Sequence, residues 1–213
     1  MMVEIRRAEL LDASRMASLH CDRISEGFLP SLGVAFLRRI YGRIVRTEHS
    51  FAYVAVDRNE VIGFVAATES IGGFYRTFMI RDGIRAGLRA APRIVLSAKR
   101  VWETLRYPAS ASGATSDLPT AEIIAVSVAR SSGKRGIGRL LVDAVSGEMD
   151  RRHVSAVKVV AATDNAAAAA LYLGAGYTEL HEISVHGSTA STVFVRRSDP
   201  TASQDPSRQE PRS

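Results

Sequence analysis

Gly133-Lys134-Arg135-Gly136-Ile137-Gly138 is a glycine-rich, basic turn set between a β-branched run, Ile123 to Val128, and an amphipathic run that begins near Arg139. A strand that enters a helix through such a turn aims several free backbone N–H groups at one point, at the positive end of the helix dipole. That arrangement seats a pyrophosphate. Lys134, Arg135 and Arg139 add positive charge, and Gly136 and Gly138 keep Cβ atoms away from a closely approaching ligand. The glycine order is neither Gly-x-Gly-x-x-Gly nor Gly-x-x-x-x-Gly-Lys-Ser/Thr, and the turn lies past the middle of the chain. Both features argue against a dinucleotide fold and a P-loop. A turn of this kind also serves as a plain helix entry, so its neighbours decide.

The neighbour that matters runs from Lys158 to Tyr177. Lys158 to Thr163 reads as a strand. An alanine-rich helix follows, with Asp164 or Asn165 as its N-cap and Gly174 and Gly176 as its stop. Tyr172 follows Asn165 by about two helical turns, which places both on one helix face.

Together these segments resemble the GNAT N-acetyltransferase superfamily. There an Arg/Gln-x-x-Gly-x-Gly/Ala turn holds the pyrophosphate of acetyl-CoA, and an Asn-x-x-Ala-x-x-x-Tyr-x-x-x-Gly-Phe/Tyr helix carries a proton donor. The matching residues are Gly133 to Gly138 and Asn165, Ala168, Tyr172, Gly176 and Tyr177. Gly133 departs from the pattern, because Arg or Gln is usual there; Lys134 and Arg135 are the side chains at hand to replace the missing contact. The resemblance covers most of Met2 to Arg197.

The resemblance implies acetyl-CoA as the donor and a primary amine, on a small molecule or a peptide, as the acceptor. Direct acetyl transfer needs a neutral amine, a polarised thioester carbonyl and a proton for the departing thiolate. An alkyl amine of pKa ~10.4 is neutral in roughly one molecule in 10³ at pH 7, so a carboxylate base is called for. Glu122, at the start of the strand leading to the turn, is the first candidate; its alternative is an edge-of-strand surface charge. Glu69 and Asp117 are weaker candidates. Tyr172 is the implied proton donor to sulfur, the alternative being an aromatic packed between helix and sheet. Val126, Ser127 and Val128 are expected to bond the pantetheine arm through backbone groups left unpaired where the strands at Ile123 and Val157 splay beside a bulge. Gly133, Lys134, Arg135, Gly136, Ile137, Gly138 and Arg139 are expected around the pyrophosphate, and Asn165 on the cofactor arm as well as at the cap. No metal is expected. Cys21, the single cysteine, rules out an intramolecular disulfide and has no part in direct transfer.

These residues must be held by a frame. The chain has 213 residues, 46% hydrophobic and 23% charged, enough apolar material for one sizeable core. Its order reads β-α-α-β-β, insertion, β-α-β-α-β-β, an α/β layout with a mixed, twisted central sheet and helices on both faces. The strands are Val3 to Arg7, Phe51 to Asp57, Glu60 to Thr68, those at Ile123 and Val157, Thr178 to Val185 and Thr192 to Arg197. Arg58-Asn59 and His186-Gly187 are the hairpin turns. Asp12 to Asp22 and Val34 to Arg46 read as helices, the first with Leu11, Met16 and Leu19 as core positions. Ile24 to Gly33 is a loop carrying Phe28 and Leu29.

Ser70 to Pro119 is a basic helical insertion between the third and fourth strands, broken near Pro92. Three roles compete for it: a solvated helix pair on the domain, a lid over the acceptor with Phe28 and Leu29, or a surface for anionic lipid. The domain is expected over residues 1–197, and the polar stretch 198–213 as a disordered tail. A formal charge of +6 fits an anionic ligand or surface, and no nucleic-acid module is present. With no leader or membrane span in view the cytoplasm is the expected location, and a homodimer is left open. The competing reading is a non-catalytic acyl-CoA-binding or membrane-peripheral domain.

Overall fold

The computed structural model describes residues 3–24, 33–78, 118–183 and 190–198. Seven strands form one sheet: β1 Glu4–Arg7, β2 Ser50–Asp57, β3 Glu60–Thr68, β4 Ala121–Val128, β5 Ala156–Ala162, β6 Thr178–Ile183 and β7 Ser191–Arg197. They lie in the order β1-β2-β3-β4-β5-β7-β6. Every pairing is antiparallel except β4 with β5. The helices are α1 Ala13–Arg23, α2 Val34–Arg46, α3 Ile71–Phe78, α4 Ile137–Arg151 and α5 Ala166–Gly174.

Two apolar layers sandwich the sheet. Met16, Leu19, Leu37, Ile40, Tyr41, Ile44 and Phe74 from α1 to α3 pack on Val54, Phe64 and Ala125. Leu141, Val142, Val145 and Met149 of α4, with Tyr172 of α5, pack on Phe51, Val65, Ile123, Val159 and Phe194 across the other face. In α2 the buried positions fall at the i, i+3, i+4, i+7 spacing that one helix stripe requires. The β2–β3 hairpin turns through Arg58 (φ 52°) and Asn59 (φ 65°), two positive values that match the twist of the flanking strands.

Leu11 corrects an expectation, for it is 87% exposed. Leu10–Asp12 is a separate 3₁₀ turn, and α1 begins only at Ala13. The Glu9 N–H donates to Asp12 Oδ2 at 2.7 Å, and Arg6 donates to both Asp12 oxygens at 2.7 and 3.0 Å. These bonds turn Asp12 inward and Leu11 outward, so the helical period cannot be counted back through this turn.

Of the insertion, residues 70–78 and 118–119 are described, and the chain is stitched together where it begins and ends. The Ile71 N–H donates to the Thr120 carbonyl at 3.0 Å, and Thr120 Oγ1 donates to the Glu69 carbonyl at 3.3 Å. The basic stretch with its break at Pro92, Phe28 and Leu29, Asp117, the His186-Gly187 turn and the tail beyond Ser198 lie outside the described residues. Ser198 itself donates to Asp150 Oδ1 at 2.6 Å. No helix among the described residues is long and apolar enough to cross a membrane, and no group of three His, Cys, Asp or Glu there could hold a metal ion.

Candidate active site

The basic turn forms as its glycines require. After a 3₁₀ turn over Arg130–Ser132 the chain passes through Lys134 at φ 60° and Gly136 at φ 73°, and Gly136 caps α4 with no side-chain partner. Among the described residues the backbone N–H groups of 134–139 donate no hydrogen bond. Six consecutive free amides across a helix start, with positive φ at alternate residues, make a concave nest for an anion. Helix α4 begins at Ile137, two residues earlier than the sequence pattern suggests, so Gly138 belongs to its first turn.

The two later glycines do different things. A Cβ on Gly136 would meet nothing within 4 Å, so what requires glycine there is its left-handed φ. A Cβ on Gly138 would lie 3.4 Å from Leu171 Cδ2, a van der Waals contact with α5, and Gly138 has no left-handed φ to demand glycine.

The basic side chains divide as well. Lys134 is exposed and has no partner among the described residues. Arg135 donates to Asp57 at 2.9 Å. Arg139 donates to Asp143 at 2.7 and 2.8 Å and to the Gly174 carbonyl. Exposed pairs of this kind are worth about 0.2–1 kcal/mol, so a phosphate could draw either arginine away at small cost.

Beyond the turn the sheet opens. β4 and β5 pair only at Ala121–Val157, Glu122–Lys158 and Ile123–Val159. β4 then continues to Val128 and β5 to Ala162 without meeting. The parting begins at a bulge: Ala66 pairs with Ala125 and Ala67 with Ile123, leaving Ile124 as the extra residue. Val126, Ser127 and Val128 pair with β3 on one side and present a free edge on the other. Ser127 is pinned from the α1 side, its hydroxyl donating to the Leu19 carbonyl at 3.0 Å.

Helix α5 carries the phenol. Asn165 Oδ1 accepts from the Ala168 N–H at 3.0 Å, so Asn165 rather than Asp164 is the cap. The C-terminus closes with Gly176 at φ 82°, the Tyr177 N–H donating to the Tyr172 carbonyl at 3.0 Å and the Gly176 N–H to the Leu173 carbonyl at 3.1 Å. This is a Schellman ending, and its usual apolar contact is the Tyr172–Tyr177 pair, with ring centroids 5.9 Å apart. Tyr177 is locked in turn, its hydroxyl 3.1 Å from that of Ser146. Tyr172 packs also against Phe194 at 5.7 Å, and its hydroxyl has no partner among the described residues. Burial pushes this phenol above the usual tyrosine range, and Tyr177 adds to the shift.

Glu122 lies on the opposite face. Its neighbours Ala121 and Ile123 both belong to the α4–α5 layer, so its side chain points toward α1–α3. Its Oε2 is 3.1 Å from Lys158 Nζ, and Lys158 also donates to the Pro119 carbonyl at 2.5 Å. Burial pushes the Glu122 carboxyl above the ordinary range, and Lys158 pulls part of that shift back. On the other flank stands Tyr75 of α3, whose phenol is raised by burial and by the Glu122 charge. Glu69 is engaged elsewhere: Arg152 holds it at 2.6 Å and His49 at 2.9 Å. Burial opposes those two partners, which nevertheless keep its carboxyl below its ordinary value. Cys21 is half-buried and packs beside the α1–α3 layer. His20 is buried with Nδ1 2.5 Å from the Tyr41 hydroxyl and Nε2 without a partner, and burial holds it neutral, down to about 4.

The free edge of β4 thus runs along the chain into the amide nest, with Tyr172 on the α4–α5 side of the sheet and Glu122 on the α1–α3 side. Lys158 and Tyr75 were not singled out by sequence reasoning. A lysine inside the apolar run Val157 to Ala162 was the available signal for the first; the second sits where the insertion begins.

A mixed sheet split between its parallel strands, with an amide nest beyond the split strand, is the frame that the resemblance noted in the sequence implies. The chain belongs to the acetyltransferase (GNAT) family, whose model matches residues 16–177. The GCN5-related N-acetyltransferase of Kribbella flavida superposes with TM-score 0.61 at 17% identity, covering 92% of this chain and 97% of that one. Arabidopsis thaliana NAA60 in complex with acetyl-CoA gives TM-score 0.59 at 17% identity, covering 92% and 98%. The ribosomal-protein-S18-alanine N-acetyltransferase of Escherichia coli gives 0.58 at 12% identity, covering 92% and 94%. No curated protein sequence matches the chain.

Proposed function

We propose that this chain transfers the acetyl group of acetyl-CoA directly to a primary amine. The observation that carries the proposal is the run of unpaired amides at 134–139, aligned with the free edge of β4. The nest and Lys134 take the pyrophosphate, and the backbone of Val126, Ser127 and Val128 takes the pantetheine arm. Arg135, Arg139 and Asn165 flank the same path. A backbone N–H of the free edge polarises the thioester carbonyl.

The gap between β4 and β5 joins the two faces of the sheet, which lets the base and the acid act from opposite sides. Glu122 accepts the amine proton, the amine nitrogen bonds to the acetyl carbon, and the C–S bond breaks. Tyr172 gives its hydroxyl proton to the sulfur. A phenol of raised pKa is a weak acid for an ordinary thiolate. This thiolate, however, forms in the same dry pocket, and burial raises its affinity for a proton as well.

The test combines two measurements on the full chain. Calorimetry with coenzyme A at modest ionic strength is expected to show binding, and thiol release from acetyl-CoA is expected with at least one member of an amine panel. Absence of coenzyme A binding refutes the site. Binding without turnover on any amine refutes catalysis and leaves a carrier-binding domain.

A further inference from the structure

A buried ammonium beside the candidate base is an unusual companion for an enzyme that must take up amines. Lys158 is only 7% exposed, with Nζ 3.1 Å from Glu122 Oε2 and 2.5 Å from the Pro119 carbonyl. The pair sits at the Glu122–Lys158 rung, one short of the last rung before the split, so the register sets the two side chains side by side. Among the described residues the other titratable neighbour of Glu122 is the Tyr75 phenol, which carries no charge at neutral pH.

Two consequences follow. Lys158 already neutralises much of the carboxylate, so Glu122 offers little attraction to a second cation. It also places a fixed positive charge within the few ångströms at which a like charge disfavours a protonated amine. A strongly basic amine arrives as an ammonium and meets that charge. A weakly basic amine arrives neutral often enough to pass. An α-amine of pKa about 7.8 is neutral in roughly one molecule in seven at pH 7, against roughly one in 2,500 for a lysine ε-amine of pKa about 10.4.

We propose that Lys158 is a specificity-determining residue, a charge filter that admits the weakly basic α-amines of peptides and amino acids and turns away lysine side chains and alkyl polyamines. The inference rests on the acetyl-transfer reading, with Glu122 facing the acceptor.

Two peptides of one sequence test it with the full chain. One has a free α-amine and an acetylated lysine; the other has an acetylated α-amine and a free lysine. At pH 7 kcat/KM should favour the first by at least about 100-fold, in line with the neutral fractions. Lys158→Met should shrink that ratio by about tenfold or more, the equivalent of one pKa unit, while Lys158→Arg should preserve it. Equal rates on the two peptides with wild-type protein, or an unmoved ratio in a folded Lys158→Met, overturn the proposal.

If Lys158→Met does not fold, Lys158→Gln takes its place with the same readings, and the wild-type pH profile is a further check. The ε-amine rate should climb about tenfold per unit from pH 7 to 9 as the free amine accumulates, and the α-amine rate should level off near pH 8. An ε-amine rate that stays flat means the ammonium is accepted, and the filter does not exist. Coenzyme A binding with no transfer to either peptide or to free amino acids overturns the underlying reading instead, and is told apart by the absence of any thiol release.

Discussion

Replacing Tyr172 by Phe separates a reacting phenol from a packed ring, because the structure predicts opposite outcomes for stability and turnover. The ring lies 5.9 Å from Tyr177 and 5.7 Å from Phe194 and is 6% exposed. Phenylalanine keeps those contacts. The hydroxyl has no partner among the described residues, so its loss breaks no hydrogen bond of the fold. Stability should therefore move by no more than about 0.5 kcal/mol, or about 2 °C in Tm for a chain of this size. Coenzyme A affinity should hold, since the amides of 134–139 are untouched. Turnover should fall by about 10²–10⁴, the usual contribution of a positioned acid, which is about 2.7–5.4 kcal/mol in the barrier. Because burial raises the phenol, it stays protonated through pH 9, and it should contribute no alkaline loss of kcat below that value. Thermal melts, calorimetry and a thiol-release assay read the three quantities. A variant that binds and turns over as wild type, or one that melts much earlier, would refute the reasoning.

Three further outcomes are expected. Gly136→Ala forces a Cβ into φ 73°, at a cost of about 1–2 kcal/mol. Melting should drop by about 2–8 °C and coenzyme A Kd should rise at least about tenfold, the equivalent of about 1.4 kcal/mol of lost binding; an unchanged Kd by calorimetry would show that the turn does not hold the ligand. Glu122→Gln should lower kcat/KM by about 10² or more. A base must be ionised, so the wild-type rate falls as pH drops through the raised Glu122 pKa, and the variant's profile should lack that limb. Glu148 is the stability counterpart. Burial would push its carboxyl up, but Arg151 at 2.5 Å and Arg152 at 2.8 Å outweigh it and bring it down to about 2. Against an ordinary value of 4.5, that is worth about 3 kcal/mol. A lowered carboxyl stabilises the fold above pH 4.5 and loses that contribution as pH falls toward 2. Glu148→Gln should therefore melt several degrees below wild type at pH 7 and nearly level with it at pH 2.5; a gap that does not narrow would remove the assignment.

The parts of the molecule that were legible in sequence are those governed by local rules. Val34–Arg46 and the Arg58-Asn59 hairpin follow from periodicity and turn chemistry alone, and Gly136 and Gly176 mark the two left-handed residues that close the ends of α4 and α5. What was hidden depends on partners distant in the chain. Arg139 reads as a free cation until Asp143 and the Gly174 carbonyl are seen beside it. Lys158 reads as a strand residue until the parallel register sets it beside Glu122. Leu11 reads as core because a 3₁₀ turn and a helix share nearly the same spacing over so few residues.

One residue too many in β4 has a consequence for anyone who edits this strand. Upstream of Ile124, odd-numbered side chains lie with α4; downstream, the even-numbered ones do. Excising Ile124 alone would restore a regular ladder. Val126, Ser127 and Val128 would keep their present faces, so what would be lost is the bulge at which β4 parts from β5 rather than the pattern of the core. Grafts or alignments through this region must keep the count as strictly as the residue types.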